Sequence, residues 1–435
     1  MLIALNKLEV KMKTINKMIS FICLTAILVV VTLIGSPVAE AAKKPIVVGV
    51  LSWMDLDVGK STLRGAQLAA EMINAKGGIL GRPIKVISAD TKGLPDEGVK
   101  GFEYLVTRGK ADIVTGIFAD AVLAAVIPRL DEYKVPLLTT ADPYYKAAEM
   151  VHENYDKYKG WFRVMPMNDY YLGMAVMEMT DQVIVKELGW NKIVIFREKA
   201  AWTEAIVGMI KEEFPKMGIE IKDDIVFPVG ETNFSPYYRQ AVRHNPDMIF
   251  ALVAEAGISP VLQYVRFKPG IPLGGIITPA QVPEFLEDMG GDAGNIFTMT
   301  PICHNAKIDS ETKRFIDLWT KKFKTRPTKP DYAGIGTSWA VEIYAEAAKR
   351  AGTLEFNRMV TELEKTDLKR MWRIQFFGRD EKDPVFGMNW PHDLRYSIDH
   401  AYSMLVQWQG KDMYAIWPDK FAVKSYVNPP WMKKQ

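Results

Sequence analysis

Short β-branched runs alternate with amphipathic segments over most of this chain, and no other feature restricts its fold as strongly. Between the first two runs, Ala66, Ala69 and Ile73 recur at the spacing of one helical face. Regular strand–helix alternation predicts parallel sheets covered by helices on both faces. Two such series begin at Ile46 and Lys192, so the 435 residues should form two α/β lobes. The predicted strands are 46–51, 84–88, 113–118, 135–139, 192–196, 225–228, 248–253 and 275–278.

Composition and charge exclude several classes of protein. Hydrophobic residues make up 48% and charged residues 25%, which is typical of a soluble globular chain. The formal net charge is +3, and no long charged block follows the first 20 residues, so no nucleic-acid partner is expected. The two cysteines are Cys23, which lies in the N-terminal leader, and Cys303. No internal disulfide is therefore predicted for the mature chain.

The first 41 residues have the pattern of a cleavable secretion signal. Four lysines between positions 7 and 17 precede an uncharged apolar run at 18–35, and an Ala-x-Ala site ends at Ala41. An uncleaved membrane anchor is the alternative, because the apolar run is nearly long enough to span a bilayer. Ile22 stands where a lipoprotein signal would have a small residue before Cys23, which argues against lipidation. We expect cleavage after Ala41 and a periplasmic or other extracytoplasmic location.

Motifs for catalysis, metals and cofactors are missing from the sequence. No His-Glu-x-x-His pair and no Gly-x-Ser-x-Gly elbow occurs, and adjacency of Cys303 and His304 does not orient an imidazole onto a thiolate. Residues 57–62 (DVGKST) imitate a phosphate-binding loop, but Met54 replaces the glycine that such a loop requires. We therefore predict no enzyme, no metal and no cofactor, and Ser61 or Thr62 is expected near a helix N-cap.

Ligands of open parallel α/β sheets bind beyond the carboxyl ends of the strands. That rule selects four loops, at 117–121, 141–145, 197–202 and 254–256. Exposed loop residues without a function are the alternative for each. By their position in these loops, the candidate ligand-binding residues are Ala119, Asp120, Ala141, Asp142, Trp202 and Glu255.

Residues 65–82 (GAQLAAEMINAKGGILGR), placed between two predicted strands, carry a family resemblance. This run resembles the opening βαβ unit of the leucine/isoleucine/valine-binding proteins, the periplasmic ligand receptors of ABC importers. The resemblance implies a type I periplasmic binding protein fold, with two parallel-sheet α/β lobes joined by three crossover segments. Helical segments 310–322 and 332–351 resemble the part that returns to the first lobe. The implied divisions are 1–41 signal peptide, 42–162 first lobe, 163–300 second lobe, 301–390 return to the first lobe, and 391–435 return to the second.

The same resemblance implies roles for particular residues. The family's first loop touches the ligand, which adds Ser52, Trp53 and Val58 to the candidates. Asp120 and Asp142 stand where amino-acid-binding members have hydroxyl groups for the ligand carboxylate, and Trp202 matches an aromatic position. Glu255 lies one place beyond another aromatic position. The acid that binds the ligand ammonium falls near Gln281, so that acid is replaced.

These departures change the expected ligand. A carboxylate facing Asp120 and Asp142 at about 4 Å would be repelled by roughly 4 kcal/mol at an effective dielectric near 20. Three alternatives stay open: a neutral polar ligand, a cationic ligand, or a protonated aspartate. We expect a small-molecule receptor that delivers its ligand to ABC permease subunits, with membrane contact only through the permease. Because no signalling or membrane segment follows the second lobe, an importer is favoured over a secreted sensor, and a secreted enzyme is the weakest alternative.

Overall fold

The computed structural model describes residues 1–34, 43–324 and 330–432, and it divides the chain into two units. The first unit, Met1–Lys44, contains helix α1 (Leu2–Ile34). The predicted cleavage site after Ala41 lies outside the described residues. Within the described ranges, no helix combines the length and apolarity needed to cross a membrane. All other elements belong to the second unit, Pro45–Gln435.

The second unit alternates strands and helices from its first residues onward. Its strands are β1 (Ile46–Ser52), β2 (Ile84–Asp90), β3 (Ile113–Gly116), β4 (Leu137–Thr139), β5 (Trp161–Arg163), β6 (Lys192–Glu198), β7 (Glu220–Phe227), β8 (Met248–Val253), β9 (Leu273–Ile277), β10 (Phe297–Thr300), β11 (Leu368–Lys369), β12 (Arg373–Ile374), β13 (Met404–Gln409) and β14 (Asp412–Trp417). Its α-helices are α2 (Asp57–Asn74), α3 (Pro95–Thr107), α4 (Asp120–Val126), α5 (Leu130–Tyr133), α6 (Lys146–Glu153), α7 (Tyr155–Tyr158), α8 (Asp169–Met179), α9 (Ala201–Glu213), α10 (Ser235–Arg243), α11 (Ser259–Phe267), α12 (Phe285–Asp288), α13 (Ser310–Lys322), α14 (Tyr332–Ala351) and α15 (Phe356–Glu364).

Two large sheets form the cores of two lobes, as the strand–helix alternation predicts. The first sheet is parallel throughout, in the order β2-β1-β3-β4-β5. The second has the order β14-β13-β10-β9-β8-β6-β7, with β6 to β10 parallel and the C-terminal pair β13 and β14 added antiparallel. Strands β1, β3, β8 and β9 are buried along their whole length, because helices cover both faces of each sheet.

The chain passes between the two sheets three times. It leaves the first sheet after β5, leaves the second after β10, and returns to the second at β13. Between the last two passages, α14 packs along α2 and against β3 and β4 of the first sheet. These connections confirm the predicted fold class. The lobe boundaries predicted at 162, 300 and 390 stay predictions.

The start of α2 differs from the sequence expectation. The helix begins at Asp57 behind Leu56, so Ser61 and Thr62 lie inside it and cap nothing. Thr62 instead donates from Oγ1 to the carbonyl of Val58 at 2.8 Å. The glycine of this segment, Gly59, has a packing role, because a Cβ built there would lie 1.9 Å from the carbonyl oxygen of the preceding loop. Close approach of two backbone segments therefore explains why a glycine stands at position 59, in the segment whose sequence imitates a phosphate-binding loop.

Candidate functional site

Strand order reverses at one point in each sheet, and these points locate the candidate site. In the first sheet, β1 lies between β2 and β3; in the second, β6 lies between β7 and β8. At such a reversal, the loops beyond the carboxyl ends of neighbouring strands diverge and leave a crevice. The segments that follow β3, β6 and β8 bring Asp120, the first residue of α4, Trp202, in the first turn of α9, and Glu255, in the loop after β8, to this edge.

A cavity lies where these segments meet, and we call it the Trp202 cavity. Both lobes contribute to its wall. It contains five of the residues predicted from sequence, namely Ala119, Asp120, Ala141, Trp202 and Glu255. The other lining residues are Phe118, Pro143, Met167, Leu172, Ala254, Ile276, Thr278 and Tyr332.

A second cavity shares Phe118, Ala254 and Thr278 with the first. Val58 lines this second cavity. The other two candidates of the same loop lie outside both linings. Ser52 is buried at the end of β1, and the ring of Trp53 packs over the backbone of the loop after β2, where a Cβ on Gly93 would come within 2.4 Å of it.

Asp142 does not line either cavity, because a buried cation holds its side chain. Arg163 donates from Nη1 to Asp142 at 2.8 Å and from Nε to Asp393 at 3.0 Å, and all three side chains are fully buried. Its Nη2 donates to the carbonyl oxygen of Tyr144 at 2.8 Å, while Asn168 donates to the second carboxylate oxygen of Asp393 at 2.8 Å. Arg163 therefore offsets part of the charge of Asp142, and this geometry does not place the Asp142 carboxylate in either cavity to face a ligand carboxylate.

Gln281 also turns away from the cavities. It lies in a short 3₁₀ turn, Thr278–Gln281, directly after β9. Its side chain is 3% exposed and donates from Nε2 to the carbonyl oxygen of Met299 at 2.6 Å. The structure thus uses Gln281 to join the end of β9 to β10, and Thr278 of the same turn lines the cavity instead.

One buried carboxylate positions the second-lobe side of the Trp202 cavity. Glu198, the last residue of β6, accepts from the indole Nε1 of Trp202 at 2.8 Å. It also accepts from the backbone amides of Ala254, Glu255 and Ala256 at 3.0, 3.0 and 2.9 Å. The aromatic wall and the loop that carries Glu255 are therefore fixed by the same group. Four donors to one buried carboxylate satisfy its charge without a cation.

The two acids of the cavity have raised pKa values. Burial raises the pKa of Glu255 to about 7, and the charges of Glu198 and Asp120 add to this effect. Burial also raises the pKa of Asp120, assisted by the nearby charge of Asp142 and opposed by the hydrogen bond from the amide of Ala121. Such shifts mark carboxyl groups without a stabilising counter-charge.

Several lining residues carried no signal in the sequence. Phe118 and Pro143 lie in predicted loops but are apolar, so nothing distinguished them from buried loop residues. Met167 and Leu172 follow β5 on the first connection between the lobes. Tyr332 opens α14, more than 70 residues from any predicted loop, and only the capping Asp331 before it marks that position. Among the described residues, no group of three His, Cys, Asp or Glu side chains is placed to hold a metal ion.

Comparison with known proteins places this geometry in a family. A family model described as "Periplasmic binding protein" matches residues 46–389. The "Leu/Ile/Val-binding protein homolog 3" of Brucella melitensis is 28% identical over 201 residues, which cover 45% of this chain and 51% of that protein. The chain spans about half the length of the curated relatives it matches.

Solved structures share the fold over nearly the whole chain. The branched-chain amino acid transporter substrate-binding protein LivJ of Streptococcus pneumoniae, in complex with isoleucine, has a TM-score of 0.72 at 19% identity and covers 89% of this chain and 100% of its own. An ABC transporter solute-binding protein of R. palustris, in complex with benzoate, has a TM-score of 0.70 at 17% identity and covers 89% and 99%.

Proposed function

The chain belongs to the periplasmic binding protein family, and from this premise we propose that it is the extracytoplasmic receptor of an ABC importer. It captures a small organic ligand between its lobes and presents the closed form to a membrane permease. Family membership makes it a binding protein and not an enzyme. The observation that carries the proposal is the Trp202 cavity, whose lining comes from both lobes at once.

The geometry supports capture by closure. Asp120 and Ala141 follow strands of the first sheet, whereas Trp202 and Glu255 follow strands of the second. A ligand that touches both groups of residues gains its full contact only when the lobes are together, so binding favours the closed state. A permease that recognises the closed state then distinguishes loaded from empty receptor. The isoleucine and benzoate of the similar structures are ligands of the small organic size that this model requires.

Binding can be tested without knowing the ligand. The purified protein would be screened by thermal unfolding against amino acids, amides, polyamines, sugars and aromatic acids, because a ligand of the native state raises the melting temperature by mass action. We expect one chemical class to raise it in proportion to concentration. Small-angle scattering with that ligand should then show a smaller radius of gyration. A library without any stabilising compound would contradict the receptor proposal.

Transport and export need separate tests. Deleting the gene should abolish uptake of the radiolabelled ligand, and N-terminal sequencing of the exported protein should begin at Ala42 or within a residue or two. Uptake that is unchanged in the deletion strain, with a transcriptional response to the ligand lost, would instead identify a sensor. Recovery of a full-length chain from the membrane fraction would contradict cleavage.

A further inference from the structure

We propose that the ligand of the Trp202 cavity carries a net positive charge, held between Asp120 of the first lobe and Glu255 of the second. This inference rests on the proposed function and adds the chemical class of the ligand. The class is a small organic cation with an apolar or aromatic body, such as an amine or amidine. It selects one of the three alternatives that the sequence left open.

The buried Asp120 and the half-buried Glu255 differ from the other acids around the site. Within the described ranges, no side chain donates a hydrogen bond to either carboxyl group and no cation pairs with it. Asp120 is only 6% exposed, lines the cavity, and accepts from the backbone amide of the next residue at 2.8 Å. By contrast, Glu198 has four donors and Asp142 has Arg163. A carboxylate removed from water without a counter-charge is costly, so the missing positive charge is expected from the ligand.

The lining offers nothing that would balance these charges. Its thirteen residues include two acids and, among the residues that the structure describes, no lysine, arginine or histidine. The buried cation Arg163, which pairs with Asp142, is already shared between Asp142 and Asp393. Asp169, which is buried and has one carboxylate oxygen without a partner, is a further acid close enough to Asp120 for their charges to interact, and burial raises its pKa well above the usual range. An anionic ligand would therefore enter a field of its own sign.

The remaining wall suits the body of an organic cation. Phe118, Trp202 and Tyr332 contribute aromatic surface, and Leu172 and Ile276 contribute aliphatic surface. Aromatic faces attract desolvated cations through their quadrupole, most strongly for tryptophan. A cation placed between the two carboxyls would also offset the repulsion between Asp120 on the first lobe and Glu255 on the second. The positive charge of the ligand would therefore favour closure of the lobes. Neutral polar ligands gain neither effect.

Three probes of similar shape separate the effect of ligand charge on affinity from the effect of ligand size. Benzamidinium, benzamide and benzoate share one ring and one planar head group and carry charges of +1, 0 and −1. Isothermal titration calorimetry at pH 8 should show benzamidinium binding at least tenfold more tightly than benzamide, and no detectable binding of benzoate. Benzoate or benzamide binding as tightly as benzamidinium would overturn the inference.

Variants assign the effect to the two acids. Asp120→Asn and Glu255→Gln should each lower the ratio of benzamidinium affinity to benzamide affinity at least tenfold. Glu212→Gln removes the same charge from an exposed position on α9, where Glu212 pairs with Lys216 at 3.3 Å, and should change neither affinity. Circular dichroism would confirm that each variant is folded. An unchanged ratio of benzamidinium to benzamide affinity in both cavity variants would overturn the assignment.

The test also separates this inference from the receptor proposal. If none of the three probes binds, the charge of the compound that stabilises the protein in the ligand screen is the test. A net cation supports the inference, and a zwitterion, a neutral compound or an anion overturns it. In the last three cases the receptor proposal stands. If no compound of any class binds, both proposals fail together.

Discussion

Replacing Arg163 with methionine should destabilise the protein strongly at neutral pH. The substitution removes a fully buried guanidinium that lies 2.8 Å from Asp142 and 3.0 Å from Asp393, and it leaves both carboxylates buried without a cation. Removing one partner of a buried ion pair costs about 3–5 kcal/mol. Because one guanidinium serves two carboxylates, we expect a loss of about 5 kcal/mol in the free energy of unfolding at pH 7.5, the upper end of that range.

Acid pH should reduce this loss. In the native protein, burial raises the pKa of Asp142 while the charge of Arg163 opposes the effect. Without Arg163, burial and the charge of Asp393 still raise the pKa of Asp142 and only the hydrogen bond with Thr139 lowers it. The folded variant therefore holds a proton that the unfolded chain, with an ordinary aspartate pKa of about 3.9, releases. Where the folded state binds more protons, stability increases as the pH falls. The difference between variant and wild type should therefore shrink from pH 7.5 to pH 5.

Urea unfolding followed by tryptophan fluorescence measures both quantities. Arg129→Met is the matched control, because Arg129 is 44% exposed and lies 3.6 Å from Glu103, so its removal should cost no more than about 1 kcal/mol. Adding Asp142→Asn and Asp393→Asn to the Arg163 variant removes the stranded charges and should recover most of the loss. The reasoning is refuted if Arg163→Met costs no more than the control, or if its cost is the same at both pH values.

Three further predictions concern the cavity wall, a helix contact and a buried acid. Trp202→Ala should weaken ligand binding by roughly 1–3 kcal/mol in calorimetry, as loss of a buried aromatic anchor does, while the remote Trp190→Ala should leave affinity unchanged. Gly65→Ala places a Cβ 2.1 Å from a backbone carbonyl oxygen of α14 and should cost about 1–3 kcal/mol in chemical unfolding, whereas Gly208→Ala, with open space around it, should be neutral or stabilising. Burial raises the pKa of Asp331 to about 7, so the folded state keeps a proton that the unfolded chain releases, and this contribution to stability is lost as the pH rises through 7. The melting temperature of Asp331→Asn should therefore rise relative to that of wild type from pH 5 to pH 8, and a constant difference would contradict this.

Local patterns predicted the elements that form the fold. Segments 310–322 and 332–351 are the helices α13 and α14, because their apolar spacing is a property of the segment alone. The meeting of Asp120, Trp202 and Glu255 was also predictable, since parallel strands bring their carboxyl ends to one edge. The order of strands and helices was enough to predict that these three residues lie close together.

Long-range pairing is where sequence reasoning failed to place side chains. Asp142 looks like a site residue by position, but its environment depends on Arg163 and on Asp393, which is 251 positions further along the chain. Gln281 turns toward the carbonyl of Met299 because of the local 3₁₀ turn, and no pattern in the chain marks that rotation. Such choices depend on which polar partner is already buried nearby, and periodicity does not contain that information.

The hydrogen bonds of Glu198 restrict how this protein could acquire a new specificity. A substitution of Trp202 that lacks the indole N–H removes one of the four donors to Glu198, and the same carboxylate accepts from the amide of Glu255, so the two second-lobe determinants share one anchor. Asp120 stands on the other lobe and has no such link. A single substitution at Asp120 could therefore change the preferred charge of the ligand. On the opposite wall, Trp202, Glu198 and the Glu255 loop would have to be substituted together.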